Sequence, residues 1–194
     1  MSDKEYKNCR ITNPHEIFLE AVKFLPKGQL AIVDIGAGYL NETRYLLQKG
    51  YAVTAIDKNP LPEELKDLVT PNLLYTQCDF NTYNFEPSSI DFLIALHSLF
   101  FVDPKNFDSF FIKLLESLKP NGVIVGDILG LHDSWLTAAK RPMTFITQDK
   151  IIELIKMTTV SYDIISLQDK EWNGAQYDGT LKHWHTIEFI IKRK

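Results

Sequence analysis

The stretch VDIGAGYLNETRYL, residues 33–46, runs from apolar residues through an acid and two glycines one residue apart into a helix-like pattern. That order marks the first strand, turn and helix of a nucleotide-binding α/β unit. Gly36 and Gly38 suit such a turn, because it calls for positive φ and because a missing Cβ lets a ligand approach the backbone. A GxG pair alone is equally compatible with a tight turn that holds nothing. Asp57 narrows the choice: it ends the next apolar run, 57 − 38 = 19 residues past Gly38. An acid about 20 residues on is placed to meet a ribose hydroxyl.

Working outward, LAIVDI, YAVTAI, NLLYTQ, SIDFLIAL and GVIVGDIL are almost continuously apolar, as expected of strands covered on both faces. Helix-like segments alternate with them. NETRYLLQKG offers Asn41 as an N-cap and Gly50 as the residue after the helix, and the helix pattern from 103 to 119 ends at Pro120, Asn121 and Gly122. A further helix is expected at TQDKIIELIKMTT. VSYDIISLQD and HWHTIEFIIKRK then follow with no helix signal between them and are expected to pair as an antiparallel hairpin. The fold class is therefore α/β, a Rossmann-like doubly wound sheet with its ligand at the carboxyl ends of the strands. The 14 residues DKEWNGAQYDGTLK, 169–182, are long for a hairpin connection and are expected to form a lid or binding loop.

A chain of 194 residues with 45% hydrophobic and 24% charged residues is expected to form a single domain over 1–194. Its net charge of −4 speaks against a nucleic-acid binder that works through many phosphate contacts. The polar start MSDKEYKNCR and the lack of a long apolar run point to a cytoplasmic protein without a membrane segment. Cys9 and Cys78 stand far apart with no CxxC partner, so both are expected to be reduced.

A dinucleotide site needs a third glycine three positions after Gly38, where Asn41 stands. NAD and FAD are disfavoured. S-adenosyl-L-methionine, with a ribose and adenine but no phosphate, asks less of the turn. At this point the chain resembles the class I S-adenosylmethionine-dependent methyltransferases over almost its whole length. VDIGAGYL resembles the family's first motif, TAIDKNP its ribose-binding segment, CDF its adenine-side segment and SIDFLIALHSLFF its fourth-strand motif. LKPNGVIVGDIL resembles the turn into strand five, with Asn121 in place of a glycine. The resemblance implies a seven-stranded sheet of order 3-2-1-4-5-7-6 with strand seven antiparallel. It implies cofactor contacts at Asp34, Gly36, Gly38, Asp57, Lys58, Asp79, Phe80 and His97. The first motif departs from the family at Leu40, where a third glycine is usual, which implies a bulkier wall beside the methionine end. GDILGLHDSWLTAAKRPMTFIT and KHWHTIEFIIKRK are similar to a subgroup of small bacterial methyltransferases related to the tellurite-resistance type. That likeness implies a small-molecule methyl acceptor and a monomer or homodimer.

Methyl transfer from a sulfonium asks mainly for placement, helped by a base. His97, just past the fourth apolar run, is the candidate base, with lining the cofactor pocket as its alternative role; Ser98 is a weaker candidate. His183 and His185 alternate on one strand and share a face, but two ligands do not make a metal site, and no metal is expected even with His132 and Asp133 nearby in the pattern. With Trp135, Trp172 and Tyr177 they are expected to edge the acceptor pocket. The competing class is a regulatory S-adenosylmethionine-binding protein that performs no transfer. A nucleic-acid methyltransferase is disfavoured by ALHS at strand four, which lacks an Asn/Asp-Pro-Pro-aromatic signature.

Overall fold

The structure, a computed structural model, describes residues 13–176 and 179–194. Seven strands form one sheet in the order β3-β2-β1-β4-β5-β7-β6. They are β1 (Ile32–Ile35), β2 (Val53–Asp57), β3 (Leu73–Gln77), β4 (Ile90–Ala95), β5 (Leu118–Leu129), β6 (Tyr162–Ala175) and β7 (Leu181–Arg193). The first five pair in parallel, and β7 runs antiparallel to both β5 and β6. The order reverses between β1 and β4, so the ends of these strands open a crevice at their carboxyl edge.

Both faces are covered. On one, α1 (Glu16–Ala21) and α2 (Asn41–Gln48) bury Ile17, Phe18 and Leu46 against Ile32, Phe92, Ile94 and Val125. On the other, α3 (Phe107–Ser117) and α5 (Gln148–Met157) bury Phe111, Leu114 and Leu154 against Leu93, Ile124 and Phe189. The fully buried residues of β4 alternate between these two clusters, which is why 92–95 read as an unbroken apolar run. A short helix, α4 (Trp135–Ala138), follows β5. No helix among the described residues is long and apolar enough to cross a membrane.

Three expectations need correction. Asn41 is the first residue of α2, not its cap; Leu40 holds the cap position at φ 58°, and Asn41 Oδ1 accepts from Arg44 Nη2 at 2.8 Å. The expected loop 169–182 is mostly strand. The β6–β7 ladder continues from Asp169↔Ile187 to Ala175↔Leu181, leaving only 176–180 as the connection. Its extension rests on side chains across the ladder: Trp172 and Trp184 stack at 6.0 Å, and a Cβ on Gly174 would come 3.1 Å from the Trp172 indole nitrogen. Gly174 is therefore a strand residue under an indole ring rather than a breaker. Leu40 does not wall the glycine turn either. Its side chain is fully buried among Ala55, Leu65 and Leu73.

Candidate active site

The crevice is built by the turn after β1. Gly36 N–H and Ala37 N–H both donate to Ile56 O, at 2.8 and 3.1 Å, which folds the turn across the end of β2. Gly36 (φ 68°) and Gly38 (φ 49°) hold the left-handed region that glycine takes without steric cost. At Gly36 the space also requires it, since a Cβ would stand 2.5 Å from the Ser98 Cβ. The Gly38 N–H donates to Asp57 Oδ2 at 2.9 Å, and Asn59 donates to Oδ1 through its backbone N–H (2.8 Å) and its amide (3.0 Å). Asp57 is thus buried and fixed, with acceptor capacity left over, because a carboxylate offers about four lone-pair sites.

Below the turn, Asp34 accepts from Thr43 Oγ1 at 2.6 Å. Burial, reinforced by the neighbouring Glu42 and Asp57 carboxylates, pushes its pKa up to about 7. Glu42, on the first turn of α2, receives both the backbone N–H of His15 (3.1 Å) and its Nδ1 (2.7 Å). Burial opposes charge on His15, but this bond to Glu42 outweighs it and its pKa is raised; burial likewise opposes charge on Glu42, and His15 holds its pKa low.

His97 enters from the end of β4 at φ 51°, a strained backbone for a histidine. Asp127 of β5 holds it there: its Oδ1 accepts the His97 N–H at 2.5 Å, and its Oδ2 lies 3.5 Å from Nε2. The imidazole is 45% exposed on one side and meets the His15 ring at 4.5 Å on the other. Ser98 is buried, and its Oγ has no partner among the described residues. At the adenine-side segment, Asp79 caps the turn that follows by accepting from Asn81 N at 2.9 Å. Phe80 packs its ring on Phe110, 5.8 Å away, and Lys58 is exposed with its ammonium 6.0 Å from the Phe101 ring.

The expected acceptor residues gather at the turn after β5 and the extended hairpin. Lys182 is fully buried, bonded to Asp133 Oδ1, with its ammonium 3.9 Å over Trp184 and 4.6 Å over Trp135. Burial lowers its pKa, and Asp133 opposes that shift. Asp133 also caps Trp135 N (2.9 Å) and His185 N (3.0 Å). His185 accepts the His132 N–H at Nδ1 and sets Nε2 2.7 Å from Asp169. His183 meets Glu171, and Trp172 covers the Trp184 ring. The faces of Trp135 and Trp184 are therefore occupied by Lys182. Tyr177 lies outside the described residues.

This geometry has known counterparts. Residues 33–126, the span from the glycine turn through β5, match the family model described as a methyltransferase domain. Residues 33–126 are a methyltransferase domain. A cyclopropane-fatty-acyl-phospholipid synthase of Escherichia coli is 21% identical over 190 residues, which cover 94% of this chain and 48% of that protein. The chain thus spans about half the length of the curated relatives it matches. Among solved structures, TehB from Haemophilus influenzae has a TM-score of 0.73 at 16% identity, covering 93% of this chain and 63% of its own. A 1,6-didemethyltoxoflavin-N1-methyltransferase from Burkholderia thailandensis, bound to its substrate and S-adenosylhomocysteine, has a TM-score of 0.65 at 17% identity, covering 92% and 79%. The fold of the methyltransferase domain is that of the S-adenosylmethionine-dependent enzymes, and S-adenosylmethionine is the methyl donor of that class.

Sequence reasoning did not find His15, Glu42, Thr43 or Asp127 as neighbours of the site. Asp127 sits inside the quoted run GVIVGDIL, where a lone acid in a buried strand was the available signal. His15 precedes a helix that carried no motif, and Glu42 reads as an ordinary first-turn acid.

Proposed function

We propose that the chain transfers a methyl group from S-adenosyl-L-methionine to a small-molecule acceptor, working as one domain over residues 1–194. One observation carries this reading: beside a glycine turn fixed on Asp57, Asp127 holds the half-exposed His97 ring at the carboxyl edge of the sheet. The residues present fit the cofactor, because Asp57 keeps acceptor capacity at the glycine turn and Ser98 Oγ lies buried beside Gly36 with no partner among the described residues. Asp57 would accept the ribose hydroxyls, the Asp79–Phe80 segment would flank the adenine with Lys58 at its rim, and the turn from Asp34 to Gly38 would receive the methionine end. Bound there, the cofactor supplies an electrophilic methyl on a sulfonium. The chain's own part is to orient the acceptor and to take its proton at His97, with Asp127 stabilising the imidazolium that results.

Small-molecule acceptors are what the toxoflavin methyltransferase neighbour handles. A net charge of −4 supports the same class over nucleic acid. Trp135, Trp172, His183 and His185 would then bound the acceptor's side of the crevice. The transfer is tested by screening thiols, amines and oxyanions for S-adenosylhomocysteine release. With an acceptor in hand, His97→Gln should lower kcat about 10²–10⁴-fold and alter the pH profile of turnover, with cofactor affinity nearly unchanged. Wild-type turnover with the same pH dependence would leave placement as the source of rate. S-adenosylmethionine binding with no release on any acceptor would favour the regulatory reading instead.

A further inference from the structure

The residues that follow β4 meet the parts of the crevice one after another. His97 is held by Asp127, Ser98 faces Gly36, and Phe100 sets its ring 6.3 Å from Trp135. Phe101, half-buried, ends the single turn Leu99–Phe101. Two cations from separate elements come over its ring. Lys58, the residue after Asp57 at the end of β2, places its ammonium 6.0 Å from the ring centre, and the Arg141 guanidinium carbon stands 4.0 Å from it. The two charged groups therefore lie within the sum of those distances of each other.

Arg141 is carried by a segment fastened on two sides. Thr144 donates its N–H to Phe100 O at 3.0 Å and its hydroxyl to Val102 O at 2.7 Å, and Phe145 bridges to Leu129 at the end of β5. Both cations are exposed, and neither forms an ion pair among the described residues. Asp103, the nearest acid along the chain from Phe101, accepts the Lys105 N–H at 2.8 Å. A guanidinium laid over an aromatic ring keeps its N–H edge for a ligand, and that planar fork matches a carboxylate or phosphate through two parallel bonds. Lys58 adds a point charge on a flexible stem.

We propose that Arg141, held over Phe101 and assisted by Lys58, binds an oxyanion group of the methyl acceptor, a carboxylate or a phosphate. This rests on the reading of the crevice as a methyl-transfer site and narrows its acceptor to an anionic small molecule. The anion is anchored at Phe101, and the rest of the acceptor extends toward His97, four residues back along the same segment.

Inorganic phosphate and succinate, each titrated at low ionic strength into the protein alone and saturated with S-adenosylhomocysteine, test this through the backbone amide signals of Phe101 and Arg141 in NMR spectra. Saturable shifts are expected for at least one of the two, which tells phosphate from carboxylate, and added salt should weaken them. Arg141→Gln should weaken that binding at least about ten-fold, as loss of a charged hydrogen-bond partner does, and Arg141→Lys by a smaller factor. Lys156→Gln, an exposed cation on α5, should leave it unchanged. Thermal melts check that each variant is folded, and S-adenosylhomocysteine affinity should be the same in Arg141→Gln as in wild type. Absence of saturable shifts with both anions, full retention of binding by Arg141→Gln, or displacement of the anion by S-adenosylhomocysteine overturns the proposal. Failure of the wild-type protein to bind S-adenosylhomocysteine overturns instead the reading of the crevice on which it rests.

Discussion

The glycine turn and the β6–β7 hairpin both stand at the carboxyl edge of one sheet, yet they are finished in opposite ways. At the turn, polar groups are left for something else: Ser98 Oγ is buried with no partner among the described residues, Asp57 has acceptor capacity to spare, and burial, reinforced by neighbouring carboxylates, pushes the Asp34 pKa up to about 7. At the outer part of the hairpin the charged groups close on each other, although Thr186 Oγ1 and, at the far end of β6, Tyr162 OH are buried with no partner among the described residues. Lys182, Asp133, Trp135, Trp184 and His185 form a set in which the buried charges are paired and the indole faces occupied. A region poised for a ligand and a region that holds the wall beside it thus differ in whether their buried charges are paired internally.

The sharpest way to break that contrast is at Asp133. Asp133→Ala leaves a buried ammonium without its carboxylate and should cost about 3–5 kcal/mol in denaturant unfolding. Lys182→Met should cost clearly less, because its chain still fills the slot between the tryptophans while Asp133 keeps the N–H groups of Trp135 and His185. Equal costs would mean that Asp133 acts through the ion pair alone and that its caps add nothing.

Leu40 sharpens the other half. Leu40→Gly relieves a left-handed residue by about 1–2 kcal/mol. It also empties a fully buried site at about 2–5 kcal/mol. A net loss of about 1–3 kcal/mol is expected, with S-adenosylmethionine affinity unchanged because the side chain packs among Ala55, Leu65 and Leu73. Tighter binding in the glycine variant would restore Leu40 as a wall of the pocket.

The smallest effect belongs to His15 and Glu42. His15, with its pKa raised, contributes stability in full below its ordinary value and loses it as pH rises through the folded-state value. Glu42, with its pKa lowered, contributes above its ordinary value and loses it as pH falls through the folded one. Their joint contribution therefore peaks at about pH 5–6, between the two ordinary values. His15→Gln should cost under about 1 kcal/mol there, given the partial exposure of the ring, and less above pH 8. A cost that does not vary with pH would make the contact one of packing alone.

What could be read beforehand divides along the same line. The crevice was legible because its parts are local: a turn that demands glycine at 36 and 38, and an acid one βα unit further on. The sheet was legible because strands covered on both faces carry almost continuously apolar runs. The hairpin was misread because its cohesion is spread across the ladder. Gly174 and the polar residues around it look like a loop until Trp172 meets Trp184 on the opposite strand. Asp127 was missed for the same reason, since its value lies in a backbone N–H 30 residues away.

The central claim is that the turn fixed on Asp57 is an S-adenosylmethionine site, and calorimetric titration of wild-type and Asp57→Ala protein with S-adenosylmethionine and with NAD tests it most directly. Saturable binding of S-adenosylmethionine and none of NAD is predicted. The variant should bind about 5–150-fold more weakly, as expected when a buried ligand hydroxyl loses a partner worth about 1–3 kcal/mol. Equal affinity in the two proteins, or a preference for NAD, would contradict the account.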